Sequence, residues 1–159
     1  MNKVCYTALF GNYEELKEPT VITPGWDYVC FTDQPLTSNV WEIRQIELTE
    51  TPQRMARKMK ILAWIQWKYS MWIDASFQIN KDLNDWWNER FKAPFSCAAH
   101  PLRNDVYHEA RTCIVNRRGD AEEINRQITH YAEMCVPANN GIITSGILLR
   151  ENTLNNILF

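Results

Sequence analysis

The residue that points most directly to chemistry is Asp74, which follows the apolar run Met71, Trp72 and Ile73. A carboxylate placed there is costly to bury unless a cation or several donors meet it. Residues two apart on an extended chain point the same way, so Asp74 and Ser76 would present two oxygens to one spot. Such a pair suits a hard cation, Mg or Mn, bridging to a diphosphate. The plainer reading is that Asp74 caps a turn. Ahead of it Arg54, Arg57 and Lys58 gather at three- and four-residue spacing. Arginine offers forked donors and lysine a point charge, so this face could neutralise a diphosphate, or it could be solvated helix surface.

A second group lies further along. His100 and Arg103 sit in His100-Pro101-Leu102-Arg103-Asn104, directly after a predicted strand, where open α/β sheets place ligand-binding loops. Asp105 and Glu109 come next and, with His100, are candidates for a general base, chosen by loop proximity alone. A lone histidine is equally at home in a structural role, and histidines at 100, 108 and 130 lack zinc-site spacing. Asn140-Gly141 and Thr144-Ser145-Gly146 flank a short apolar run. Glycine there permits a tight turn or a close backbone approach to a ligand, although a hairpin alone would explain it. Of the seven tryptophans, Trp64, Trp67, Trp72, Trp86 and Trp87 lie on apolar stretches and read as core rather than as sugar platforms.

The elements that must position these groups alternate. Residues 4–10 form an apolar run closed by Gly11 and Asn12, as in a buried strand feeding a loop, and 28–32 repeat it before Asp33. Residues 41–48 alternate well enough for a third strand at an edge. Thr51-Pro52 is a helix start, with the helix expected to reach about Trp67 and to bury Met55, Met59 and Leu62. Residues 69–73 are a strand ending at Asp74, and 77–79 resume in extended form before Asp82 caps a helix through Phe91. A strand over 95–99, helices over 105–116 and 120–134, and a strand, turn and strand over 141–150 complete the order. Residues 152–159 read as the start of a further helix. Strands alternating with helices predict an α/β fold with a mainly parallel sheet covered on both faces.

Bulk properties narrow the classes. The chain of 159 residues is 45% hydrophobic, enough for one domain, 1–159, with its own core. Its net charge of -2 gives no positive field for a nucleic acid or an anionic membrane. No stretch approaches the roughly 20 apolar residues of a membrane span. Lys3 with the apolar run after it lacks a signal-peptide cleavage pattern, and five cysteines without C-x-x-C spacing read as reduced, so a soluble, uncleaved, cytoplasmic protein is expected. There is no P-loop, G-x-G-x-x-G or G-x-S-x-G.

Taken in order, Tyr6-Thr7-Ala8-Leu9-Phe10-Gly11-Asn12-Tyr13-Glu14-Glu15-Leu16, Trp26-Asp27-Tyr28-Val29-Cys30-Phe31-Thr32-Asp33 and Trp72-Ile73-Asp74 resemble the glycosyltransferase-like DUF616 family, also called the TOD1/MUCI70 hexosyltransferase-like domain. The likeness continues through residues 54–60, His100-Pro101 with Arg103, Tyr107-His108-Glu109-Ala110, and Ser145-Gly146 before Leu148-Leu149-Arg150. The resemblance implies a GT-A-like, Rossmann-like three-layer α/β/α sandwich, with a C-terminal part of the usual enzyme expected to be missing. It implies that Thr7, Ala8, Gly11, Tyr13 and Asp33 serve the nucleotide, and that Arg54 and Lys58 face the nucleotide or its diphosphate. Asp74 and Ser76 would stand at an Asp-x-Asp-like metal position for Mn or Mg, while Asn140, Ser145 and Gly146 approach the donor sugar or acceptor. Ser76 departs from the second carboxylate of that pattern, which lowers the negative charge offered to a metal.

The reaction so implied moves a sugar from a nucleoside diphosphate sugar, a uridine diphosphate sugar in the first instance, to an acceptor hydroxyl on a glycan. Metal at Asp74, or Arg54, Lys58 or Arg103, would assist diphosphate departure. The alternative is a non-catalytic module of the same fold that binds a nucleotide sugar or glycan. A nucleotidyltransferase is a third reading, weakened by the lack of a glycine-rich triphosphate loop.

Overall fold

A computed structural model describes residues 3–12 and 14–153. The first strand, β1 (Lys3–Leu9), is followed by β2 (Trp26–Thr32) and a short β3 (Glu42–Gln45). Helix α1 (Pro52–Leu62) passes through a 3-10 turn (Ala63–Gln66) to β4 (Tyr69–Ile73). Then come α2 (Leu83–Arg90), β5 (Phe95–Ala99), α3 (Val106–Val115), α4 (Ala121–Glu133) and β6 (Ile143–Glu151). The strands form one sheet in the order β3-β2-β1-β4-β6-β5. β1 pairs in parallel with β2 and β4, β2 in parallel with β3, and β4 antiparallel with β6.

Alternation along the strands divides the core between two faces of the sheet. On one face Cys5, Leu9, Tyr28, Cys30, Met71 and Leu149 pack with Leu83 and Trp87 of α2. On the other, Val4, Tyr6, Ala8, Val29, Phe31, Trp72 and Leu148 pack with Met55 of α1 and with Ala63. The sheet is therefore covered by α2 on one side and α1 on the other, and the mixed α/β, mostly parallel Rossmann-like fold predicted from the sequence is the one found. Among the described residues, no helix is long and apolar enough to cross a membrane. None of the five cysteines is in a disulfide.

Several local expectations differ from the structure. α1 ends at Leu62, and the following turn tightens to 3-10 geometry before Trp67 becomes extended. Leu62 is exposed, whereas Met55 is buried as expected and Met59, together with Ala56, is half-buried against the same cluster. β3 covers only four residues, because those are the ones in register with β2. No turn divides the last strand: Thr144, Ser145 and Gly146 continue within β6. Residues 77–79 join no strand. Asn152 and Thr153 are irregular, and the rest of the helix expected from 152 onward lies outside the described residues, as does Tyr13.

The chain falls into two compact units, Met1–Cys97 with Gly146–Phe159, and Ala98–Ser145. The second has α3 against α4 and is tied internally by Gly141 N–H donating to Asn104 O at 2.7 Å and Tyr107 Oη to Val136 O at 2.7 Å.

Candidate functional site

In the first unit the chain winds outward from β1 to β2 to β3, then returns through α1 to place β4 on the other side of β1. Loops leaving β1 and β4 therefore part in opposite directions, and their carboxyl ends bound a crevice, the usual ligand position in open α/β sheets. A cleft of about 240 Å³ lies there. Its floor is Ala8 of β1 and Trp72 of β4, one wall is the turn Asp74, Ala75 and Ser76, and the other is the α1 face Gln53, Ala56, Arg57 and Lys60. Those four recur at i, i+3, i+4 and i+7, the spacing of one helix face. Glu14 completes the rim.

Asp74 is the hub of this cleft. Its Oδ1 accepts the Trp72 indole N–H at 2.8 Å and forms an ion pair with Lys60 Nζ, also at 2.8 Å. The backbone N–H of Asp74 donates to Gly146 O at 2.8 Å, and its carbonyl accepts from Phe77 N–H at 3.0 Å, which closes a turn. Asp74 and Ser76 thus lie in a turn rather than on an extended strand, and the alternation that would align their oxygens does not apply. Both still line the cleft, but Ser76 is exposed and its carbonyl accepts from Lys17 Nζ. Gly146 is needed for closeness: a Cβ there would stand 2.8 Å from the Phe77 ring and 3.5 Å from Asp74 Oδ2.

Lys60 is held from behind. The last carbonyls of a helix lack intrahelical partners, and that of Lys60 accepts from Tyr6 Oη at 3.1 Å and from Arg150 Nη1 at 2.9 Å. Arg150 Nη1 also donates to Tyr6 Oη at 2.8 Å. Burial raises the Tyr6 phenol above its ordinary pKa, against the pull of the Arg150 charge, and burial lowers Arg150. Arg150 has no carboxylate ion-pair partner among the described residues. Its guanidinium lies 5.7 Å from the ring centroids of Trp64 and Phe95. The Lys60 side chain is only 16% exposed and its Nζ lies 5.2 Å from the Trp72 ring centroid, a cation-π distance.

The other residues assigned to the nucleotide divide. Ala8 is in the cleft, whereas Thr7 is buried with its hydroxyl unpartnered among the described residues. Gly11 adopts φ +76°, and its N–H donates to Asp33 Oδ1 at 3.1 Å, so these two brace the loops after β1 and β2 against each other. A Cβ on Gly11 would lie 2.5 Å from Pro52 Cγ, which makes the glycine a condition for seating the start of α1. Thr51 caps that helix by accepting from Arg54 N–H. Arg54 and Lys58 are exposed and off the cleft wall, Lys58 facing Glu50 at 3.7 Å. Arg57 and Lys60 are the basic residues of α1 that line the cleft. Lys60 escaped the sequence reading, although its spacing from Gln53 and Arg57 carried the signal.

The cleft does not suit a tightly held divalent ion. Asp74 Oδ1 already takes two N–H donors, which leaves Oδ2 as the one carboxylate oxygen open to a cation, and the second expected ligand, Ser76, brings no charge. Among the described residues, no three His, Cys, Asp or Glu side chains gather as a metal site.

The second unit holds His100, Arg103, Asp105, Glu109, Asn140 and Ser145. His100 Nδ1 accepts from the N–H groups of Leu102 and Arg103, at 3.2 and 3.1 Å, and Arg103 Nε pairs with Glu109. Burial alone would raise the Glu109 carboxyl, but hydrogen bonds from Arg103 and Cys113 and the nearby positive charge leave it below its ordinary pKa. Asp105 Oδ1 accepts from Tyr107 and His108 N–H at 2.8 and 2.9 Å, and Oδ2 from Asn139 N–H at 2.8 Å. Those backbone bonds, His108 first, hold its pKa below the usual carboxylate value. Asp105 is thus a helix cap and loop tie, and poorly basic. A larger hollow, about 700 Å³, is open and lined by Asp105, His108 and Arg111. Its one carboxylate is consumed by backbone caps, so the smaller cleft at Asp74 is the better candidate. Asn140 is exposed beside an apolar hollow with Glu109, and Ser145 is exposed on β6.

A family model described as TOD1/MUCI70, glycosyltransferase-like domain, matches residues 38–143, more than half of the chain. No curated protein matches it.

Proposed function

The chain belongs to the TOD1/MUCI70 glycosyltransferase-like domain family, and from that premise we propose that it transfers a sugar from a nucleoside diphosphate sugar to an acceptor hydroxyl. In such a transfer the bond between the anomeric carbon and the diphosphate oxygen breaks as a bond to the acceptor oxygen forms, and the acceptor loses its proton. The difficulty is the negative charge that grows on the departing diphosphate. Fixed positive groups in a partly closed cleft meet that charge without reorganising.

The observation that carries this reading is the cleft at the carboxyl ends of β1 and β4, where Arg57 and Lys60 face the Asp74 turn. Ala8 leaves room beside the first strand for a flat base or ribose, and Gly11 with Asp33 stiffens the loop above it. A uridine diphosphate sugar is the donor expected first, and a glycan hydroxyl the acceptor.

A thermal-shift screen of nucleoside diphosphates and their sugars tests the reading, because a ligand of the native state raises its melting temperature. Stabilisation by one nucleotide class is expected. Absence of any shift, with Mn or without it, would sink the proposal. Donor hydrolysis then separates a transferase from a module of the same fold that only binds.

A further inference from the structure

We infer that Lys60, standing where a divalent ion would otherwise meet Asp74, is the cation that receives the donor's diphosphate, so that donor binding needs no metal. This rests on the reading of the cleft as a nucleotide-sugar site.

Three independent observations converge. Lys60 Nζ sits 2.8 Å from Asp74 Oδ1, while the Trp72 indole N–H occupies the same oxygen at 2.8 Å. The carboxylate is therefore engaged as an anchor for an ammonium. An ammonium carries three N–H donors and can bridge a carboxylate to phosphate oxygens. Next, the Lys60 carbonyl is gripped by Tyr6 Oη and Arg150 Nη1. Long lysine side chains ordinarily spread over many rotamers; this one is fixed at its backbone, laid along Trp72 and tied at its tip. Finally, Arg57 lies one turn earlier on the same wall and adds a second positive group. Within this arrangement Asp74 is a positioning residue that acts through Lys60, and Ser76 needs no ligand role.

The test is calorimetric titration of uridine, guanosine and adenosine diphosphates into the wild-type chain, once in EDTA and once in excess MnCl2. The expected result is binding of at least one of them with the same dissociation constant in both buffers, within about twofold. Lys60→Met should raise that constant about tenfold or more, equivalent to about 1.4 kcal/mol, in both buffers, and Lys60→Arg should recover part of the loss. Binding that appears only with MnCl2 overturns the inference and leaves the proposed function standing. Unchanged binding by a folded Lys60→Met also overturns it. No binding by the wild type in either buffer overturns the proposed function itself. The two-buffer comparison uses the unmodified chain, so it decides even if Lys60→Met does not fold.

Discussion

Tyr6→Phe removes one oxygen from the interior and tests whether Tyr6 and Arg150 act together on the Lys60 backbone. The Tyr6 ring is fully buried, its hydroxyl accepts from Arg150 Nη1 at 2.8 Å, and it donates to Lys60 O at 3.1 Å. Phenylalanine keeps the ring contacts with Trp67 and Trp72 but leaves a buried guanidinium short of an acceptor. Hydrogen bonds to charged groups contribute about 1.5–3 kcal/mol, so the loss should be about 2 kcal/mol. For a chain of this size that is roughly 4–8 °C in melting temperature. Arg150→Met removes the charge whose burial is itself costly and leaves Tyr6 bonded to Lys60 O, so it should cost less, about 1 kcal/mol. The two hydroxyl and guanidinium deletions share one bond. The double variant should therefore be less destabilised than the sum of the singles by about 1 kcal/mol. Urea unfolding followed by tryptophan fluorescence reads all four corners of the cycle. Additivity within about 0.3–0.5 kcal/mol would refute the claim that these groups form one clamp on the Lys60 backbone.

Gly11→Ala should destabilise the chain by about 1–3 kcal/mol in thermal melts, from its positive φ and the contact with Pro52. Gly11→Asn, which tolerates that φ, should not rescue it, and a full rescue would show that Pro52 is not the obstacle. Burial pushes the Cys5 and Cys30 thiols up, Cys30 to about 12 from 9.0. A raised acid gives its full stabilisation below the unfolded pKa and loses it as pH climbs towards the folded one. Stability should therefore fall above pH 9 by roughly 1.4 kcal/mol per pH unit for each thiol, and Cys30→Val should flatten the slope in urea melts. A flat profile from about pH 9 to 10.5 would contradict this. Asp105→Ala should lower the melting temperature at neutral pH, and the gap to wild type should close as pH falls below 3.8, because the depressed carboxyl stabilises only while ionised. Lost turnover with an unchanged melt would instead make Asp105 a base.

Much of the fold was legible because its signals are local. The buried runs of β1, β2 and β4 and the caps at Thr51, Asp82, Asp105 and Asp120 need only a few adjacent residues. What escaped depends on contacts between distant segments. Gly146 reads as a turn residue until Phe77 is seen to fill the space its missing Cβ leaves, within an unbroken β6. The basic residues of α1 give two plausible faces, and only the seating of Met55 in the core decides that Arg57 and Lys60 line the cleft while Arg54 and Lys58 do not. Asp74 was found because a carboxylate ending an apolar strand is costly. Its partner Ser76 was placed by strand alternation, which stops one residue too early.

The most direct measurement is nucleoside diphosphate release from a panel of nucleotide sugars, with water and glycan hydroxyls as acceptors, by the wild-type chain and by Asp74→Asn. A cleft in which Asp74 anchors Lys60 predicts release from one donor class by the wild type and a loss of at least about tenfold in Asp74→Asn, because the amide still accepts from Trp72 but no longer pairs with the Lys60 ammonium. Equal release by both proteins, or none from any donor with or without Mn, would contradict it.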